Sequence, residues 1–233
     1  ISSSTFSNCS ATSDGGAIEI LLGTVTISSS TFSNCSGTSY GSAIYSYSST
    51  PTINFSRIYH NTGTAIYIVN TSSIDATNNW WGSNADPSGY AYNATVSPWL
   101  VLNITATPSS IPNGQTSAIR TNLTRNSAGT DTTSGGILVP DGIPVTFALT
   151  SGAGSILPLA GNITSGANAT TFTSAGTGTS TVSATLDAET VSTPIMVVPP
   201  SHTLNPGDSI QQNITDAAEG DTIILNPGTY NQH

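Results

Sequence analysis

Lysine is absent from this 233-residue chain, and only Arg57, Arg120 and Arg125 carry fixed positive charge against 12 acidic residues. With a net charge of −9 the chain repels polyphosphate, which excludes nucleic-acid binding driven by phosphate neutralisation. Charged residues make up 6% of the sequence, against roughly 25% in a typical soluble domain. Solubility must therefore come from hydroxyls and amides, and Ser plus Thr number 73. Two cysteines are too few for a disulfide framework. Together with the scattered His60, His202 and His233 they give no metal-ligand set, so no metal or cofactor is expected. The longest aliphatic runs, IEILL and PIMVV, are far shorter than the ~20 apolar residues that cross a bilayer as a helix. No initiator Met or signal peptide is present and residue 1 falls inside a repeat, so the chain is expected to be a piece of a longer protein.

What the chain has is repetition. ISSSTFSNCS occupies residues 1–10 and returns unchanged at 27–36, and a degenerate copy in phase, TINFSRIYHNTG, follows at 52–63. Ser and Thr compete with the backbone for hydrogen bonds and disfavour a helix. A repeat of 20–50 residues marks a solenoid in which each unit contacts its neighbours. Ile1, Ile27, Ile53 and, from SSIDATNN, Ile74 form one file of apolar positions. Phe6, Phe32 and Ile58 form a second. GGAIEI, GSAIYS and GTAIYI bring Ile18, Ile44 and Ile66 into a third. Strand-like alternation within each rung, with rungs stacked about 4.8 Å apart, predicts a core ladder of like on like. Residues 1 to about 77 are thus expected to be coils of a right-handed parallel β-helix. Cys9 and Cys35 fall at one position of successive rungs and are expected to stack as buried thiols rather than close a strained disulfide. Asn8 on Asn34 is expected as another stacked pair.

Two catalytic patterns fail on inspection. GTSYG at 37–41 matches G-x-S-x-G, but the preceding rung has ATSDG and no helix follows, so it reads as a coil corner. Asp14 and Glu19 could pose as a glycosidase carboxylate pair, but Tyr40 and Tyr45 replace them one rung on, and no nearby cation would assist lyase chemistry. The chain is expected not to be an enzyme.

A solenoid end exposes unpaired backbone and an open core, so something must cover it. NNWWGSNADPSGYAYNATVSPWL follows the fourth repeat and supplies Trp80, Trp81, Tyr90, Tyr92 and Trp99, which are expected to form a lid. The alternative for these five is a glycan platform. From Leu100 short alternating stretches (LNITATP, SAIRTNLT, PVTFALT, NATTFT, TSTVSATL, TPIMVV) separated by PNG, PDG and AGTG turns predict an all-β sandwich. After the Pro199-Pro200 linker, a short helix over Ser209 to Ala218, a strand over Asp221 to Leu225 and a turn read as the first layer of another solenoid, with no partner within the segment large enough to bury it. The expected domains are residues 1–99, 100–198 and 199–233. Asn-x-Ser/Thr sequons mark Asn54, Asn70, Asn93, Asn103, Asn122, Asn162, Asn168 and Asn213 as N-glycosylation acceptors. Asn8 and Asn34 also head sequons, but are poor acceptors if they point into the coil.

The F-S-N-C-S and G-G-A-I rungs resemble the repeats of polymorphic outer membrane proteins and related adhesins. NNWWGSNADP at 78–87 resembles the ending of β-helix modules in adhesin-like surface proteins of methanogenic archaea. P-x-S-I-P-N-G-Q, G-I-P-V-T-F and A-G-T-G-T-S-T-V-S-A within 100–198 are similar to the bacterial Ig-like domains of invasins and intimins. S-I-Q-Q-N-I-T-D-A-A-E-G-D-T-I-I-L-N-P-G-T-Y resembles the opening of right-handed β-helix domains, with Asn213 where that family has a small apolar residue. These resemblances imply an extracellular, cell-surface stalk or adhesive fibre of alternating β-helix and Ig-like modules. They supply no catalytic residues. The alternatives are a subunit of a self-assembling filament joined through strand edges, and a carbohydrate-binding module. The expected partners are neighbouring copies or modules of the same protein and cell-surface glycans.

Overall fold

The computed structural model describes residues 1–217 and 220–230; the Ala218 end of the expected helix and His233 lie outside the described residues. The N-terminal part is a parallel solenoid in which each strand pairs with the strand one turn later. Thr5–Ser7, Thr31–Ser33 and Arg57–Tyr59 form one sheet, which lays Phe6 on Phe32 and Phe32 on Ile58. The two Phe rings stack at 5.0 Å and 4°. Ile18, Ile44 and Ile66 align in a second sheet, and Ile27 aligns with Ile53 in a third ladder. Ile27, Phe32, Ile44, Ile53 and Ile66 are fully buried.

The coil turns where the backbone enters the left-handed region, and the residues that tolerate it recur in files. Ser3, Ser29, Phe55 and Asn78 make one file, and Asn8, Asn34 and His60 another. The repeated F-S-N is therefore a corner signal. Asn8 and Asn34 are exposed at that corner rather than directed into the coil, which corrects the condition that made them poor glycan acceptors. Gly15, Gly41 and Gly63 make a third file; at Gly41 a Cβ would lie 2.4 Å from the Ile44 carbonyl oxygen, so only glycine fits.

One file of polar groups inside the coil is satisfied from layer to layer. The Ser4 N–H donates to Ser30 Oγ, the Ser30 N–H to Ser56 Oγ, and the Ser56 N–H to Asn79 Oδ1, at 2.9–3.3 Å. Each hydroxyl donates in turn to the carbonyl two residues before it, and Asn79 Nδ2 closes the file on Ile53 O and Ala76 O. Such a file costs little to bury and fixes the register of the layers it links. Cys9 and Cys35 are both free thiols. Cys35 is buried, and its pKa is raised, chiefly by that burial.

Three expectations need correction here. Ile1 sits over Ile27, its carbonyl accepting from Ser28 N, but it is 48% exposed because no layer covers its other side. Ile74 is buried, yet its strand Ile74–Asp75 pairs with Ala94–Thr95 rather than with the Ile53 strand, to which it is tied by Asn54 Nδ2 donating to Asp75. The aromatic loop is more than a lid. Ala91–Tyr92 adds a strand onto Ile66–Val69, and Ala94–Thr95 another onto Ile74–Asp75, so part of the loop is a further layer of the coil.

From Leu100 to Val198 two antiparallel-rich sheets face each other. One orders Leu100–Thr107, Thr116–Asn126, Ala167–Ser174 and Gly154–Leu157. The other orders Ser110–Pro112, Glu189–Val198, Gly178–Leu186, Pro144–Ser151 and Ala160–Asn162. Alternation along the strands sends Ile119, Phe172, Val182 and Ile195 inward. The three shortest strands, Ser110–Pro112, Gly154–Leu157 and Ala160–Asn162, escape sequence reading because so few residues show no period.

The C-terminal segment forms helix Ile210–Asp216, with Ser209 Oγ accepting from Gln212 N at its start. Strand Thr222–Leu225 pairs in parallel with Ser201–Leu204, a strand short enough to read as linker, and none of its residues is buried by that pairing.

The tryptophan junction as candidate functional site

Solenoid and sandwich meet at Trp80-Trp81. A parallel bridge joins Arg57 to Trp80, with Ile58 N donating to Trp80 O at 2.8 Å and Trp80 N to Ser56 O at 2.9 Å. This register sets Trp81 at the next step of the Phe6, Phe32, Ile58 file. Consecutive residues of an extended chain point to opposite faces. Trp81, 6% exposed, therefore packs in the solenoid core, while Trp80, fully buried, packs in the sandwich core with Leu100 and Leu102. Phe55 also leaves its corner for the sandwich core, and Trp99, at the start of the sandwich, packs against the solenoid core.

A carboxylate binds this exchange together. Asp187 occupies the turn between Gly178–Leu186 and Glu189–Val198 with φ 55°. Its Oδ2 accepts from Trp80 Nε1 at 2.7 Å and from Arg57 Nε at 2.9 Å, and its Oδ1 pairs with Arg57 Nη2. The two side chains are 15% and 4% exposed, so the ion pair is desolvated and bidentate, a geometry in which charge-assisted bonds are strong. Arg57 also lies 5.1 Å from the centre of the Tyr59 ring. Around this centre Ala188 N donates to Gly82 O at 3.0 Å and Asn84 N to Glu189 Oε2 at 2.8 Å. Asn84 pairs with the Leu102 backbone through both ends of its amide, at 2.6 and 3.0 Å. A second bridge lies towards the first rungs, where Ser29 Oγ donates to Leu138 O at 2.6 Å. The loop NSAGTDTTSGGILVPDG thus contacts the solenoid flank.

The sequence-derived residues divide accordingly. Trp80 and Trp81 are buried and present no ring face to a sugar, so the platform reading fails for these two. Tyr90 and Tyr92 are 52% and 53% exposed, and Trp99 is half-buried with its Nε1 donating to Asn84 O at 3.2 Å. Asn122 is buried, with Oδ1 accepting from Thr124, and leaves no room for a glycan in the folded chain. Asn54, Asn93, Asn103, Asn168 and Asn213 are half-buried, and Asn70 and Asn162 are exposed. Asp187, Asn84 and Glu189 were not identified from sequence. One signal was available: Arg57 follows Thr5 and Thr31 in its file, and a cation in a hydroxyl file implies an acidic partner.

A family model described as right handed beta helix region matches residues 1–127, a span that runs past the last solenoid strand into the first strands of the sandwich. Solved structures similar to the chain include the D0-D1 domain of intimin, at 19% identity over 42% of this chain and 48% of that one, with a TM-score of 0.34. Another is a glycosyl hydrolase family 2 member from Bacteroides cellulosilyticus DSM 14838, at 18% identity over 41% of this chain and 14% of that one, TM-score 0.34. A third is the adhesin InvE of Yersinia pseudotuberculosis, at 17% identity over 46% of this chain and 34% of that one, TM-score 0.33. The chain spans less than half the length of each. No curated protein matches it.

Proposed function

The chain belongs to the right handed beta helix family, and from that membership we propose that it is a non-catalytic, load-bearing segment of an extracellular surface protein. Solenoid and sandwich act together as one stiff stalk. The observation that carries this reading is the exchange of side chains at the junction: Trp80 of the solenoid sits in the sandwich core and is held by Asp187, which also pairs with Arg57. A linker that exchanges core residues in this way resists bending, whereas one that merely connects does not.

Composition supports an exposed setting. A hydroxyl-rich surface with no lysine and three arginines gives trypsin-like proteases few cut sites. The carboxylates nearest the junction are engaged in structure, Asp187 by Arg57 and Trp80 and Glu189 by Asn84, rather than poised for proton transfer. The resemblance of NNWWGSNADP points to an adhesin-like surface protein of a methanogenic archaeon. The exposed sequons at Asn8, Asn34, Asn70 and Asn162 are the favoured glycan acceptors.

Immunogold labelling of intact cells of the source organism, with antibody to this segment, tests the reading. Label on unpermeabilised cells is expected, and label only after permeabilisation overturns it. Electron micrographs of the released protein should show single rods. Filaments of constant axial repeat would instead favour a self-assembling subunit.

A further inference from the structure

Beside the junction, a depression of about 320 Å³ opens between the third rung and the aromatic loop, bordered by Tyr59, His60, Asn61, Trp81 and Tyr90. It continues through His60 and Asn61 into a second hollow with Asn34 and Ser36, and through Thr62 into a third with Ser39, Tyr40, Thr64 and Tyr67. The three make one groove along the corner of the coil. Among the described residues its lining includes no Asp, Glu or Arg. Aromatic rings alternate there with hydroxyls and amides.

The groove ends on a column of tyrosines. Tyr67 is sandwiched between Tyr40 at 4.4 Å and Tyr92 at 4.5 Å, so its own faces are covered, while Tyr40 and Tyr92 remain about half exposed. At the other end Trp81 borders the depression with a buried indole N–H that has no acceptor.

We infer that this groove binds a neutral glycan chain. Sugar rings present apolar C–H faces that pack on aromatic rings and hydroxyls that pair with amides and hydroxyls. An uncharged lining on a protein of charge −9 disfavours uronic acids and sulfated sugars. The volume of the first depression falls in the range of small-ligand sites. Tyr90 and Tyr40 hold the two ends of the chain. The inference stands apart from the stalk reading, which needs no ligand.

Affinity electrophoresis in gels cast with laminarin, yeast mannan or hydroxyethyl cellulose, with polygalacturonate as the acidic control, tests it. Retardation is expected in at least one neutral gel and not in polygalacturonate. Tyr90→Ala and Tyr40→Ala should each weaken binding up to about tenfold, with circular dichroism unchanged because both rings are exposed. Tyr47→Ala, an exposed tyrosine outside the groove, should bind as the parent does. Absence of retardation in all three neutral gels, equal retardation by polygalacturonate, or unchanged affinity in both groove variants overturns the inference.

Discussion

The solenoid and the sandwich bury their apolar residues under different constraints. In the solenoid each core residue lies on its counterpart one turn away, as Phe6 does on Phe32 and Ile44 on Ile66. Every position must suit the layers above and below, and buried polar groups are tolerated because Ser30, Ser56 and Asn79 satisfy one another across layers. In the sandwich, the core forms between two sheets from unlike residues, Ile119 and Phe172 on one sheet with Val182 and Ile195 on the other. The solenoid therefore transmits a defect along its axis, whereas the sandwich confines it between two faces. The junction obeys both rules at once, with Trp81 fitted to a file and Trp80 to an interface.

The comparison can be broken most strongly at Trp80. Trp80→Ala leaves a cavity in the sandwich core and removes a donor from Asp187, and should lower unfolding free energy by about 3–5 kcal/mol in urea titration. Asp187→Ala comes next, at about 3 kcal/mol, because it strands the Arg57 charge in a desolvated setting. Asp187→Asn keeps an acceptor for Trp80 and tolerates positive φ, so its loss should be smaller; an equal loss would assign the effect to charge pairing alone.

A milder probe separates the two packing rules. Ile53→Val, deep in the ladder, should cost about 1 kcal/mol, and the same measurement after Ile27→Val should find the two substitutions non-additive, since the residues are direct partners. The smallest effect concerns the thiols. Burial raises the Cys35 thiol, so iodoacetamide near pH 8 should modify the half-buried Cys9 well before Cys35. The raised value also means that the Cys35 contribution to stability is complete below the unfolded thiol range and is lost as pH climbs through the folded value.

Much of the solenoid was legible because its register is written in the sequence as identity: Ile27 over Ile53 and Phe32 over Ile58 follow from aligning the repeats. Exposure was less legible. Ile1 shares the letters of Ile27 but lacks a neighbour on one side, and Asn34 serves a corner that a repeat pattern does not distinguish from a core position. Least legible was the junction. Alternation implies that adjacent tryptophans face apart, but which module each enters depends on where the sandwich docks. The partner Asp187 lies 107 residues from Trp80 and joins no repeat. Strand Ser201–Leu204 was hidden for a similar reason, since its pairing with Thr222–Leu225 needs the intervening helix to bring the two together.

Hydrogen exchange read by mass spectrometry on Trp80→Ala and Trp81→Ala, side by side, tests most directly whether each indole serves a different core. Exchange in Trp80→Ala should accelerate foremost across Leu100–Thr107 and Gly178–Leu186, and in Trp81→Ala foremost across Arg57–Tyr59 and Ile66–Val69. Two variants with the same footprint, or with the footprints reversed, would contradict the account.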